Sequence, residues 1–463
     1  MPIPVRFISL AMVAGALAGC ATYSPQPLDP ATQQTRLVQR TLSDPELSGW
    51  LDARKVPSAW GLDRLAWTAV HNSAELKAAQ AHWHTAQAAA ITAGAYPNPQ
   101  LDGSLEHVPA SADGSASWTR GLSLGIPIVT AGKRSARIAA AAADAEQARL
   151  EYADVMWRQR QQVRSALVDM LAPADALQTL ADAQSERARL MQKRMELGLA
   201  GHPDLTQARL TAQAAIAEAA DARRTQVESR ATLAGVLNVP MESLAGIPIS
   251  FDIVSVPMPA SQLPQLDLQR EALLKRADVL APLAAYQSAE ASLRLEVAKQ
   301  YPDFTISPGL LWEAAQTKWT LGLSLLPPLF DRNRGPIAEA HARRNEAAAN
   351  VMKAQAKAIA ELDHARGGYL IALNTLDAAT VRVTDARRLV VSAQRSLAAG
   401  TGIRSEVLGA KVELARATAD RQLALIQAER ALGDLEDATR TPLIGQPFPV
   451  LRMTDNNKDA STP

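Results

Sequence analysis

Tyr96-Pro97-Asn98-Pro99 opens a stretch that closes at Ile126-Pro127-Ile128 and runs on, rich in Ala, to Leu197-Gly198; the chain then writes it a second time. The second copy opens at Tyr301-Pro302-Asp303, closes at Leu326-Pro327-Pro328-Leu329-Phe330 and runs on to Ala399-Gly400. Tyr96 to Tyr301 is a shift of 205, Pro127 to Pro328 of 201, and Gly198 to Gly400 of 202. Three unrelated landmarks keep nearly one offset, which is the signature of an internal duplication.

Each copy begins with two strand-like runs. In the second, Trp319, Leu321, Leu323 and Leu325 alternate with Lys318, Thr320, Gly322 and Ser324, and the partner run goes from Phe304 towards Trp312. In the first, Trp118, Leu122, Leu124 and Ile126 share a face with Arg120, opposite Thr119, Gly121, Ser123 and Gly125, after a partner run from Leu101 to about His107. Strict alternation is a strand signal with one apolar face. A soluble sheet lying on a helix would give the same pattern. The opposite face of Gly, Ser and Thr, and the Trp residues towards the strand ends, suit a membrane barrel with a wet lumen and an aromatic girdle. Trp118, Leu122, Leu124, Trp319, Leu321 and Leu323 are then the lipid-facing set.

After each strand pair comes a helical run of unusual length, Lys133 to Leu197 in the first copy. About 65 residues at about 1.5 Å each reach nearly 100 Å, which requires neighbours along the whole length. Pro173 and Gly367-Gly368 are expected to bend these helices. Leu197-Gly198-Leu199-Ala200-Gly201 and Gly400-Thr401-Gly402-Ile403 are tight reversals into return helices ending near Val236 and Ala438. On the second return helix Leu408, Val412, Ala415, Ala419 and Ile426 step by three and four, an apolar seam with small members. Two helical hairpins follow, pointing away from the strands. Aromatic residues make up only 4% of the chain while Ala is abundant, which favours close-packed helices over bulky cores.

Residues 1–20 carry one early charge, Arg6, then an apolar run from Phe7 to Leu17 too short to span a bilayer, then Leu17-Ala18-Gly19-Cys20. The last four residues look like a lipobox, so residues 1–19 are read as a lipoprotein signal peptide and Cys20 as an acylated, palmitate-type anchor. An uncleaved signal followed by a buried Cys is the plainer alternative. Ala21 stands where an Asp would signal inner-membrane retention, so the lipid is expected in the outer membrane. Cys20 is the single cysteine, which excludes an intramolecular disulfide. No later run is apolar enough for a membrane helix, so any further span must be a barrel.

The organisation expected is residues 20–60 as a lipid-anchored extended arm, rich in Pro, Gln, Ser and Thr, and 61–238 as the first repeat. A linker over 239–266, a second repeat over 267–440 and a disordered tail over 441–463 complete it. Within the repeats the strand pairs fall at 100–127 and 303–328 and the hairpins at 133–238 and 336–438, each repeat opening with a helix: Leu62 to Gly94 and Leu268 to Lys299.

A net charge of +1 offers no electrostatic footprint for nucleic acid. The histidines at 71, 82, 84, 107, 202, 341 and 364 show no zinc spacing; His82 and His84, two apart, point different ways on a helix. No phosphate loop, nucleophile elbow or HExxH is present, so no catalysis, cofactor or bound metal is expected.

The lipobox, the twin strand pairs opening with Tyr-Pro, the basic helix starts Gly132-Lys133-Arg134 and Arg332-Asn333-Arg334-Gly335, and the two glycine-tipped hairpins together resemble the TolC family of outer-membrane efflux channels over residues 60 to 440. Asn98-Pro99-Gln100-Leu101 and Glu106 are similar to its CzcC-like heavy-metal branch. The resemblance implies a mainly α fold with a small membrane β-barrel: a homotrimer with four strands per chain in a shared twelve-stranded barrel, and a helical tunnel through the periplasm. It implies a periplasmic adaptor and an inner-membrane resistance-nodulation-division pump as partners, with heavy-metal cations as the exported substrate. Four strands alone cannot close a barrel, and their edges need partners. Gly198, Leu199, Gly400 and Thr401 match the tips where adaptors meet the channel; the plain alternative is that these glycines only make the turn. Glu406 matches the first acidic position of a periplasmic gate. Gly409 stands where a second Asp or Asn would be, and Gly402 replaces a latching Arg. A ring of Glu406 carboxylates would favour cations, while a solvated helix-end carboxylate is the plain reading. Multidrug efflux or type I secretion remains an alternative within the class. A lipid-anchored periplasmic coiled-coil protein is the alternative outside it.

Overall fold

The computed structural model describes residues 23–109, 117–264, 274–313 and 316–448. Cys20, the signal segment, residues 110–116 between the first two strands, linker residues 265–273 and tail residues 449–463 lie outside the described part.

The first two helices lie where an extended arm is expected. Helices α1 (Pro30–Val38) and α2 (Pro45–Ala53) form because Asp29 and Asp44 accept amide hydrogens of the first turn and a proline follows each of them. Helix α2 buries Leu47 and Leu51. Residues 23–60 are thus not wholly extended. Helix α3 (Leu62–Asn72) stops where the Ser73 hydroxyl caps a new helix, α4 (Ala74–Gly94), by accepting the Leu76 amide at 3.0 Å. The single helix expected over Leu62–Gly94 is therefore two.

Strands β1 (Gln100–Val108) and β2 (Ser117–Ile128) lead into α5 (Lys133–Asp169), α6 (Ala174–Glu196) and α7 (His202–Val236). Pro173 ends a helix rather than bending one, since its ring supplies no amide hydrogen and the chain leaves helix from Met170 to Pro173. After three short 3₁₀ turns in the linker come α8 (Ala277–Ala298), β3 (Phe304–Glu313), β4 (Gln316–Leu325), α9 (Arg334–Ala398) and α10 (Arg404–Thr439). Helix α9 runs 65 residues and passes through Gly367-Gly368 without a break. No described helix is long and apolar enough to cross a membrane.

The strands form one antiparallel sheet in the order β1-β2-β3-β4, so the two copies meet through β2 and β3. Below it the helices pair as α6 with α7 and α9 with α10, and α10 packs on α6. The seam between α6, α7 and α10 is mostly Ala, with Ala181, Ala215, Ala219, Ala415 and Ala419 buried beside Leu177, Leu180 and Val412. Leu408 and Ile426 of the expected seam are buried too.

Bulky side chains concentrate at one level. There Leu47, Leu51, Leu65 and Trp67 of the N-terminal helices meet Met156, Trp157 and Leu167 of α5, Leu233 of α7, and Leu244 and Val254 of the linker. The tail joins this cluster: Phe448 is buried and its ring lies 4.6 Å from that of Trp67, while the Gln446 amide donates to Asp63 at 3.1 Å. The tail is therefore anchored as far as Phe448, contrary to the disorder expected from residue 441.

Candidate functional site: a two-faced sheet above glycine-tipped hairpins

The register sorts the sheet's side chains into two faces. Leu325, Phe304 and Ile128 lie in one cross-strand row, and Leu323, Ile306 and Ile126 in the next. Leu321 with Pro308 and Leu124 with Leu101 follow, then Trp319, Leu310 and Leu122, then Trp312 beside Arg120, then Trp118 beside His107. This apolar face is exposed: Trp319, Leu321 and Leu323 show 83%, 76% and 72% of their surface. Trp118, Leu122 and Leu124 are exposed as well. The six residues expected to face lipid thus lie on one uncovered face.

Alternate residues make the other face: Asp102, Ser104, Thr119, Gly121, Ser123, Thr305, Ser307, Gly309, Thr320, Gly322 and Ser324, with Leu311 and Pro127 the apolar exceptions. It is crowded. A Cβ on Gly309 would sit 2.9 Å from the Ser123 Cβ, so the strands approach more closely than side chains allow, as on the concave side of a curved sheet. Strands of 10 residues, at about 3.3 Å per residue and a tilt of about 40°, stand about 25 Å high, the height of a barrel's apolar band. Tryptophans lie towards the hairpin end and Tyr96, Tyr301 and Phe330, all exposed, at the other, so aromatics flank the aliphatic rows. Among the described residues, both edges, β1 and β4, lack a partner strand.

The tips close alike. Gly198 and Gly400 take φ of +75° and +74°, a conformation that a side chain strains. At the first, the Leu199 amide donates to Arg194 O at 2.7 Å and the Gly198 amide to Met195 O at 2.9 Å. At the second, Thr401 donates to Ser396 O and Gly400 to Leu397 O, both at 3.1 Å. These are paired Schellman closures. They leave Leu197 and Leu199 exposed at the first tip and Ile403 at the second. Arg404 at the second tip lies 3.7 Å from Glu186, which sits about three turns before the first tip on α6, so the second tip touches the shaft of the first hairpin.

Glu406 caps its own helix: its Oε2 accepts the Ile403 amide at 3.3 Å, as Asp204 accepts the Gly201 amide at 3.0 Å in the first copy. Gly409 lies one turn further, with open space where a Cβ would be. Gly402 has a local cause, because a Cβ there would lie 3.0 Å from both the Leu397 nitrogen and the Ser396 Cβ. A side chain there would require the tip backbone to give by a few tenths of an ångström.

A third feature, not found from the sequence, is a buried ion network binding the two copies. Arg160 and Arg164 of α5 and Glu429 and Glu436 of α10 are all buried. Arg164 reaches Glu429 at 2.9 Å and Glu436 at 3.1 Å, and Arg160 reaches Glu436 at 3.0 Å. The other Glu436 oxygen accepts the Leu443 and Ile444 amides at 2.7 and 3.1 Å. Burial pushes the Glu429 carboxyl up to about 7, against the pull of Arg164. Alongside, Arg276 holds Asp278 and Glu361, each at 2.7 Å, and Arg440 joins Asp154 to Asp278. Burial works against charge on Asp278, but Arg276 and Arg440 outweigh it and hold its pKa below the ordinary value. For Asp154 burial prevails over Arg440, and the pKa is raised. The sequence did hold a signal: two Arg four apart on α5 and two Glu seven apart on α10, each pair on one helix face.

A sheet with a bare apolar face and open edges, set on long helical hairpins, defines the protomer of a membrane channel with a helical stalk. The sequence profile of the outer membrane efflux protein family matches residues 65–239 and 268–439, one segment per copy, and the chain belongs to that family. It is 28% identical over 270 residues to the cobalt-zinc-cadmium resistance protein CzcC of Cupriavidus metallidurans, covering 57% of this chain and 62% of that relative's length. It is 26% identical over 348 residues to the pyoverdine export outer membrane protein OpmQ of Pseudomonas aeruginosa, covering 69% of this chain and 72% of that one. The crystal structure of the outer membrane protein VceC of Vibrio cholerae shares the fold, with a TM-score of 0.64 at 20% identity over 82% of this chain and 95% of that one.

Proposed function

We propose that three copies of the chain close their sheets into one twelve-stranded barrel across the outer membrane, with the helical hairpins forming a periplasmic tunnel. The assembly is the outer-membrane channel of a tripartite efflux system, working with a periplasmic adaptor and an inner-membrane resistance-nodulation-division pump. One observation carries this reading: the sheet's apolar face is continuous and uncovered while its two edges are open. In a bilayer those edges must be paired, and only closure with further copies pairs them. Cys20 adds an acyl anchor. The exposed tips at Gly198, Leu199, Gly400 and Thr401 receive the adaptor, and Glu406, with Gly409 one turn on, lines the periplasmic entrance.

Heavy-metal cations are the proposed cargo, supported by the similarity to a protein named for cobalt, zinc and cadmium resistance. The similarity to a protein named for pyoverdine export favours a second reading, export of organic molecules. Deleting the gene should lower tolerance to Co²⁺, Zn²⁺ and Cd²⁺, and a plasmid copy should restore it. Unchanged metal tolerance with impaired drug or siderophore export would select the second reading.

A further inference from the structure

The two copies differ where strand passes into helix. In the first copy β2 extends to Ile128 because Ile126, Pro127 and Ile128 pair with Ile306, Thr305 and Phe304 of the second. Helix α5 then starts at Lys133 behind Gly132, whose φ is +74°. Lys133 is buried; its Nζ donates to Tyr301 O at 2.6 Å and to Asp303 Oδ1 at 2.8 Å, and the Thr130 amide donates to the same carboxylate at 2.8 Å. An ammonium in a helix's first turn opposes the helix dipole. Here Asp303 of the other copy offsets it.

The second copy repeats the helix start without the partner. Asn333, with φ of +59°, stands where Gly132 stands, and Arg334 takes the place of Lys133, both at a shift of 201. Helix α9 also lacks an acidic residue in its first turn. Arg334 is exposed and, among the described residues, makes no hydrogen bond or ion pair within the chain. The counterparts of the paired Ile126–Ile128 are Pro327–Leu329, which have no strand partner; Leu326, Leu329 and Phe330 are 86%, 73% and 103% exposed. The segment that would serve them, Tyr96 to Gln100, is the counterpart of Tyr301 to Asp303, and it too is exposed, with the chain's own Arg134 over the Tyr96 ring at 4.1 Å and Gln100 paired with Gly125. Counting from Tyr-Pro puts Asn98 in the place of Asp303. Counting from the hairpin registers, Leu101 with Leu124 against Phe304 with Leu325, puts Gln100 there. Both are carboxamides with an oxygen free to accept.

We propose that Arg334 of one copy closes on the Tyr96–Gln100 segment of the next, repeating across the chain boundary the latch that Lys133 and Asp303 make inside it. The Arg334 guanidinium donates to the Asn98 carboxamide oxygen and the Tyr96 carbonyl, and Leu326, Leu329 and Phe330 are covered by the same neighbour. The latch uses a neutral acceptor where the internal one uses a carboxylate, so it is the weaker of the two. This inference rests on the trimeric channel reading.

The test uses a Cys20→Ser background, which leaves no other cysteine. Asn98→Cys and Arg334→Cys are placed together, the protein is extracted in mild detergent and sized, and a short bis-maleimide is added before denaturing electrophoresis. Covalent dimers and trimers, absent from either single variant, are expected. Lys133→Cys with Asp303→Cys should cross-link only within the chain and run as monomer. Monomer alone from the Asn98/Arg334 pair, in material that sizes as a trimer, overturns the latch and leaves the channel reading standing. A Cys20→Ser parent that itself sizes as a monomer overturns both. In a second measurement, Arg334→Glu should lower the temperature at which the detergent-resistant trimer separates, and adding Asn98→Lys should bring it back. Failure of that rescue also overturns the latch.

Discussion

Leu323→Arg places a charge on the bare face of β4 in the row shared by Ile306 and Ile126. That row lies second from the helical end, with the aliphatic rows of Leu325 and Leu321 on either side, so the guanidinium meets hydrocarbon. A lipid-facing Arg at the midplane of a barrel costs about 2–4 kcal/mol per chain, or about 6–12 kcal/mol over three chains. Per chain this is a loss of about 30- to 800-fold in the insertion equilibrium. Two controls separate face from depth. Ser324→Arg points to the opposite face and should be tolerated. Thr317→Arg shares the outward row of Trp312, where Arg120 already sits, and near the interface should cost about 0–1 kcal/mol. The assay is the yield of detergent-resistant trimer in the outer-membrane fraction, normalised to total chain. The expected order is Leu323→Arg far below Thr317→Arg, with Ser324→Arg near wild type. Equal yields for Leu323→Arg and Ser324→Arg would refute the assignment of faces.

Removing one member of a buried ion network leaves its partners charged and unpaired. Arg164→Ala should therefore destabilise the chain by about 3–5 kcal/mol, whereas joint replacement of Arg164, Glu429 and Glu436 by apolar residues of similar size should cost far less; denaturant unfolding of the detergent-extracted protein distinguishes them. Glu429 has a folded-state pKa near 7, above its unfolded value of 4.5, so the fold binds its proton more tightly. That contribution, on the order of 3 kcal/mol, is complete below the unfolded value and lost as pH rises through about 7; Glu429→Gln should flatten the fall in Tm between pH 5 and pH 8. An unaltered pH profile would remove Glu429 as its source. Glu406→Lys should reduce cation selectivity in planar-bilayer recordings, keep the trimer, and cost about 1 kcal/mol through the lost cap. Unchanged reversal potentials would leave Glu406 a helix cap only.

The parts of the fold legible in the sequence were those set by local period. Trp319-Leu321-Leu323-Leu325 alternates at a strand's period of two, and Leu408-Val412-Ala415-Ala419 at a helix's, and both lie on the faces these periods imply. Asp29-Pro30 and Asp44-Pro45 are cap and first-turn pairs, a readable signal outweighed by a Pro-, Gln- and Ser-rich composition suggesting an extended arm. Ser73 and Pro173 each divided a run read as one helix, because one hydroxyl cap and one missing amide outweighed Ala-rich propensity. The Arg160–Glu436 and Arg164–Glu429 pairs join residues 276 and 265 positions apart, and no local pattern says which partners meet. Gly402 shows the same limit. Its cause is the backbone of Ser396 and Leu397 doubling back, which appears only once the tip is closed.

The most direct measurement is made on a Cys20→Ser variant, which cannot be acylated. Cells are fractionated, and the membrane pool is sized in mild detergent. A trimer still in the outer membrane is the expected result, because the strands and not the lipid hold the assembly there. Release as a soluble periplasmic monomer would contradict the account: the apolar face would then not enter the bilayer, leaving a lipid-anchored coiled-coil protein.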